Sequence, residues 1–177
     1  MPLFAIGVNH KTAPVDIREK VSFAPDKLAE ALQNLTSQKN VNEATILSTC
    51  NRTELIFSAE SDEAKDTVID WFRHYHKVKA DEVDPFIYHF PEQQAVQHLL
   101  RVACGLDSLI LGEPQILGQI KTAYRTAEQA GTVGTLLSKL FQHTFSVAKQ
   151  VRSDTAIGSS PVSVAFAAVS LAKQIFS

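Results

Sequence analysis

Ile46-Leu47-Ser48-Thr49-Cys50-Asn51-Arg52-Thr53-Glu54 holds a thiol, an amide and a guanidinium at consecutive positions. An apolar run from Ala44 to Leu47 leads into this polar knot and Leu55-Ile56-Phe57 leads out, which predicts two strands joined by a tight bend. A cysteine among polar, turn-forming neighbours is expected to be at least partly exposed. A nearby cation favours its thiolate, the nucleophilic form. Arg52 also offers a rigid fork for a carboxylate or phosphate. A nucleophile beside an anion clamp is what acyl transfer from a charged substrate needs. The plainer reading is a small buried hydrophobe, the usual fate of a free cysteine. The polar neighbours argue against burial without deciding the matter.

A second stretch, Gly105 to Gln119, mixes apolar residues with glycines and site-type polar groups. Pro114 predicts the start of a helix running to Gly131, with Glu113, Gln115 and Gln119 clustered near its N-terminus. Gln115 and Gln119 are four apart and share a face. Unpaired donors there suit an acyl or carboxylate oxygen; ordinary helix capping is the competing account. His98 borders the apolar face formed by Ala95, Val96, Leu99, Leu100 and Ala103, where a histidine is usually structural. His10 sits at a strand end, as a site residue or as a partner for its own loop.

These residues need a scaffold. Leu3 to Val8 reads as a buried strand, followed by a polar loop closed by Pro14. Pro25 opens a helix with Leu28, Ala31, Leu32 and Leu35 on one face. A helix from Asp62 to His76 carries Ala64, Val68, Trp71, Phe72 and Tyr75, with His74 and His76 read as surface residues at its end. Phe86 to Phe90 is a fourth strand. Residues 1–90 thus have the order β-α-β-β-α-β. The expectation is an α+β fold, a ferredoxin-like antiparallel four-stranded sheet with helices on one face and the Cys50 bend at its rim. A helical extension follows over 91–155. Pro91 starts a helix that Gly105 stops, and another helix covers Thr135 to Asp154. A last one begins at Ser160-Pro161.

The chain has 177 residues, 45% hydrophobic and 20% charged, enough for a real core. No apolar run approaches the ~20 residues of a membrane span. The N-terminus lacks the basic segment of a signal peptide. Two cysteines, Cys50 and Cys104, make no disulfide framework, so a reducing cytoplasm is expected. Without CxxC or HExxH, a structural zinc site is not expected. Residues 1–120 carry 11 basic and 17 acidic side chains, whereas 121–177 carry 6 and 2. That basic end suits phosphates, but a helical surface dotted with lysines is the better account, and charge alone does not argue for RNA binding.

The stretches Gly7-Val8-Asn9-His10-Lys11-Thr12-Ala13-Pro14, Ser48 to Glu54 and Gly105 to Lys121 resemble glutamyl-tRNA reductases, and the likeness runs over the whole chain. The resemblance implies an NADPH-dependent oxidoreductase that opens tetrapyrrole (porphyrin) biosynthesis. It also implies that this chain is the N-terminal catalytic, glutamyl-tRNA-binding domain (1–155). Residues 156–177 then form a linker helix towards an NADPH-binding domain not included here. None of the seven glycines forms a GxGxxG after a strand. By resemblance Cys50 is the nucleophile that takes glutamate from its tRNA ester as a thioester, which hydride later releases as glutamate-1-semialdehyde. His98 matches a histidine important for activity, with a general acid–base role open to it. Thr49, Asn51 and Arg52, then Ser108, Glu113, Pro114, Gln115 and Gln119, match substrate-binding positions, and Cys104 is left to the core. The resemblance further implies a homodimer in the full-length enzyme, a monomer for this chain alone, and an aminotransferase acting on glutamate-1-semialdehyde as partner.

A different class, a non-catalytic ferredoxin-like RNA-binding module, calls for an RNP1-type run of stacking aromatics, and none is present. A papain-like cysteine hydrolase needs Cys, His and an orienting Asn or Asp, which the strand–bend context of Cys50 fits poorly.

Overall fold

In β1 (Leu3–Asn9) every residue is buried, and successive side chains take opposite faces. Phe4, Ile6 and Val8 enter one apolar core, and Leu3 and Ala5 enter another. A strand buried on both faces needs a layer on each side. The computed structural model describes residues 1–158. β2 (Val41–Ser48), β3 (Arg52–Ala59) and β4 (Tyr88–Pro91) complete a four-stranded sheet in the order β2-β3-β1-β4. β1 pairs antiparallel with β3 and β4, and β2 pairs antiparallel with β3.

One face is covered by α1 (Val15–Lys20), α2 (Leu28–Thr36), α3 (Ala64–His76) and α4 (Ala80–Val83). Phe4 stacks on Phe57 at 5.3 Å, and Leu32, Leu35, Val68 and Phe72 close over them. His76 does not lie on the surface as its helix-end position suggests. It packs edge-on against Phe23 and Phe72, with ring centroids 4.5 and 4.9 Å away. Burial pulls its pKa down to about 4, so the ring is neutral at pH 7. His74 is exposed.

The helical extension folds back over the other face, which the sequence reading leaves bare. α5 (Gln93–Ala103), α6 (Gln115–Gln129) and α7 (Thr135–Asp154) bring Leu99, Val102, Ile120 and Phe141 against Leu3, Ala5, Leu47 and Ile56. Each such side chain is worth ~1.5–3 kcal/mol when fully buried. Pro91 ends β4 rather than starting a helix, because it pairs with Phe4 and Glu92 N–H continues the ladder to Leu3 O at 2.7 Å. An edge strand tolerates the missing proline N–H. Pro25 opens a short 3₁₀ turn, Pro25–Lys27, ahead of α2. Gly105, at φ 76°, follows the end of α5. The 3₁₀ turn Ala156–Gly158 ends the described chain, and the helix expected from Ser160 lies outside it.

α7 is anchored to the sheet edge by β2. Ala44 N–H donates to Thr132 O, and Thr132 Oγ1 donates to Ala44 O, both at 2.9 Å. The Glu43 carboxylate accepts the N–H groups of Gly134, Leu136 and Leu137 at 2.9, 3.2 and 2.8 Å. An acidic group thus sits on the helix N-terminus, where the dipole favours it, and α7 has no capping side chain of its own.

Candidate active site

Thr49, Cys50 and Asn51 join β2 to β3 at the rim of the sheet. Thr49 builds the bend: its Oγ1 accepts the N–H groups of Asn51 and Arg52, each at 3.2 Å, and its own N–H donates to Arg52 O at 2.8 Å. His10 N–H donates to Asn51 O at 2.9 Å, tying the tip to the end of β1. Cys50 stays exposed, whereas Cys104 is buried.

The thiol opens on a narrow cleft. Thr49, Cys50, Asn51 and Arg52 form one wall, and Ser108, Glu113, Gln115 and Gln119 the other. The space is about 50 Å³, little more than one water at ~30 Å³. Ser108 Oγ is enclosed with no hydrogen-bond partner among the described residues, a group poised to bind a guest. Pro114 occupies the N-cap position of α6, exposed and outside the lining. It sets where the helix, and so Gln115 and Gln119, begin.

Arg52 is not a free clamp. It is 1% exposed and already held by carboxylates of its own chain. Its Nη1 donates to Glu54 Oε1 at 2.6 Å, and its Nη2 donates to Asp107 Oδ2 at 3.3 Å and to the Asp107 carbonyl. The reason is strand geometry. Arg52 and Glu54 are two apart in β3 and so share a face beneath α5. A guanidinium buried there requires paired charge. Lys11 pairs with the other oxygen of Asp107. The positive charge that the sequence places beside the thiol is therefore matched by two carboxylates.

Glu54 is the hub. Its Oε1 also accepts the Tyr88 hydroxyl and lies 2.9 Å from His98 Nε2. Gly7 lies between Glu54 and Tyr88 in the cross-strand row. A Cβ on Gly7 would come 2.2 Å from Thr53 O and 3.1 Å from Glu54 Cγ, so only glycine leaves that row open. Burial alone would raise the Glu54 pKa. The His98 hydrogen bond and charge, Arg52 and Tyr88 bring it instead to about 2. A carboxylate only accepts, so His98 Nε2 carries the proton and, in the neutral ring, Nδ1 keeps the lone pair. Burial, despite Arg52, pushes the Tyr88 hydroxyl up. Asp107 is lowered: Lys11 and Arg52 outweigh burial.

The structure thus gathers Thr49, Cys50, Asn51, Arg52, Ser108, Glu113, Gln115 and Gln119 around one cleft. His98 is 8% exposed and lines a different cavity of about 640 Å³, with Lys11, Tyr88, Phe90, Arg101 and Asp107. That cavity shares no lining residue with the thiol cleft. His98 is nevertheless one carboxylate away from Arg52. His10 has an enclosed Nδ1 with no hydrogen-bond partner among the described residues, and burial and Arg52 lower its pKa. Sequence reasoning missed Glu54, Tyr88 and Asp107. The signal for Glu54 was a charge directly before an apolar strand run; Tyr88 gave none. No three His, Cys, Asp or Glu groups converge as a metal site among the described residues.

Fold and site together define an α+β domain that presents an exposed thiol at a hairpin tip, backed by a buried ion-pair network. The chain belongs to the family described as glutamyl-tRNAGlu reductase, N-terminal domain, which it matches over residues 6–155. It is 59% identical to the glutamyl-tRNA reductase of Nitrosococcus oceani over 176 residues, 99% of this chain and 42% of the relative. The Shewanella loihica glutamyl-tRNA reductase is 59% identical over 177 residues, 100% of this chain and 42% of the relative. The solved glutamyl-tRNA reductase from Methanopyrus kandleri superposes with a TM-score of 0.77 at 31% identity, covering 97% of this chain and 39% of that one. The chain therefore spans about two-fifths of the length of these relatives. No helix among the described residues is long and apolar enough to cross a membrane.

The residues described here do not fit NADPH. A dinucleotide pyrophosphate rests on a glycine-rich turn between a parallel strand and a helix. Every strand pairing here is antiparallel, and the one strand-to-strand tip in the site is occupied by Thr49-Cys50-Asn51.

Proposed function

We infer that this chain is the acyl-transfer domain of an NADPH-dependent glutamyl-tRNA reductase. The supporting observation is an exposed Cys50 facing a cleft that holds eight of the residues marked by sequence. Cys50 sulfur attacks the ester carbonyl of glutamyl-tRNA; the carbon–sulfur bond forms and the carbon–oxygen bond to the ribose breaks. The ribose oxygen takes up the proton the thiol gave, leaving free tRNA and a glutamyl thioester on Cys50. His98, held through Nε2 by Glu54, acts through the Glu54–Arg52 network that backs the thiol rather than by contact with it. Ser108 Oγ and the amides of Asn51, Gln115 and Gln119 receive the glutamyl group, and Arg52, its charge already matched by Glu54 and Asp107, holds the cleft wall in place. Release as glutamate-1-semialdehyde belongs to the whole enzyme with NADPH. The dimer, the aminotransferase partner and the cytoplasmic location belong to that whole protein too, and the 177-residue chain alone is expected to be a monomer.

Single-turnover deacylation of glutamyl-tRNA tests this reading. The chain is expected to release tRNA without forming aldehyde when NADPH is added, and Cys50→Ser is expected to abolish the release. Aldehyde from this chain alone, or undiminished release by Cys50→Ser, would contradict it.

A further inference from the structure

α6 carries an unexplained glycine. Gly118 lies in the second turn of a fifteen-residue helix, where glycine is destabilising relative to alanine. A mid-helix glycine normally makes room for a packed neighbour. Here a Cβ would meet nothing within 4 Å among the described residues. Gly118 faces a cleft of about 470 Å³ between α6 and β2. Its floor is aliphatic, from Leu28, Ile46, Leu47 and Ala123, and its rim is neutral, from Gln115 and Gln119. Among the described residues, no charged side chain lines it.

This cleft runs on from the thiol cleft, with Gln115 and Gln119 lining both. The 50 Å³ beside Cys50 cannot hold a nucleoside. Yet an acyl group esterified to a tRNA brings its terminal ribose and adenine with it, separated from the reacting carbon by a single ester linkage. Attack requires that carbon within ~3–3.5 Å of sulfur, so the adenosine must occupy space adjoining the thiol cleft. The cavity of about 640 Å³ on the His98 side shares no residue with that cleft and carries Lys11, Arg101 and Asp107. Adenine is flat, uncharged and bordered by donors and acceptors, which matches an aliphatic floor with an amide rim.

We propose that the Gly118 cleft seats the terminal adenosine of the aminoacyl-tRNA, with Gly118 keeping its α6 wall low. The proposal rests on the acyl-transfer reading above. It gives Gln115 and Gln119 a second task, as amides shared by the glutamyl and adenosine subsites.

The test uses Gly118→Phe in the 177-residue chain, with 2′(3′)-O-glutamyladenosine as acyl donor and its uncleavable 3′-amide analogue as binding probe. Gly118→Phe is expected to lower kcat/KM for the ester and the affinity for the amide at least tenfold. Its melting temperature and the rate of Cys50 alkylation by iodoacetamide are expected to stay within error and within twofold. Unchanged affinity for the amide in a folded Gly118→Phe protein would overturn the subsite. If the wild-type chain binds the amide yet is never acylated, the acyl-transfer reading fails while the subsite stands.

Discussion

The two faces of the sheet are built on opposite principles. One carries Phe4, Ile6, Val8, Leu55 and Phe57 into an apolar layer under α2 and α3. The other carries Arg52 and Glu54 beside Ile56, Leu47 and Ala5, and α5 answers with His98 and Leu99. The alternation of one strand, β3, feeds both. Apolar packing tolerates modest repacking. A buried ion-pair network does not, because each missing partner leaves a charge in low dielectric. The first face therefore holds the sheet, and the second holds the geometry behind the thiol. Residues in the same strand, three positions apart, should fail in different ways.

Glu54→Gln and Phe57→Ala measure that difference. Glu54→Gln removes the charge that balances Arg52, which is 1% exposed. It is expected to destabilise the chain by roughly 3–5 kcal/mol and to slow acyl transfer on the order of a hundredfold, as His98 loses its orienting carboxylate. Phe57→Ala, at a fully buried site stacked on Phe4, is expected to cost a similar ~3–5 kcal/mol. Its acyl transfer per folded molecule should stay near wild type. Urea unfolding paired with single-turnover rates reads both. Equal rate losses would mean that the two faces are not distinct.

Acid sharpens the comparison at smaller amplitude. On the apolar face, His76 has a folded pKa of about 4 against an ordinary 6.5, so the unfolded chain binds its proton first. Stability is then lost as pH falls from 6.5 towards 4. On the charged face, Glu54 is held near 2 against 4.5. Its contribution is complete above 4.5 and is lost as pH falls through 2, and the lowered Asp107 acts in the same direction. Melting temperature followed from pH 7 to 2 should fall in two stages. His76→Phe should flatten the upper stage, and Glu54→Gln the lower one. A single stage unaffected by either substitution would contradict the assignment.

What could be read from sequence was local. The bend around Cys50 is contiguous, with apolar runs on both sides. α7 spans Thr135–Asp154 as its periodicity predicts. The four-stranded antiparallel sheet and the α+β class follow from the order of short runs. What could not be read was long-range pairing. Arg52 meets Asp107 from 55 residues away, and Glu54 meets His98 from 44. Neither strand nor helix period carries that information. Arg52 therefore reads as a free clamp in sequence and as a buried tie in the fold. The second helical layer was missed for the same reason: periodicity gives α5 to α7 an apolar face but does not say which surface receives it. β1 held the clue, since a run with no polar alternation from Leu3 to Val8 needs cover on both sides.

The most direct measurement is intact-mass spectrometry, with peptide mapping, after brief mixing of the chain with glutamyl-tRNA. One glutamyl group on the peptide containing Cys50, removed by hydroxylamine and absent from Cys50→Ala, is the expected result. An unmodified chain beside fully deacylated tRNA, or a glutamyl group on Cys104, would contradict a thioester at the hairpin tip.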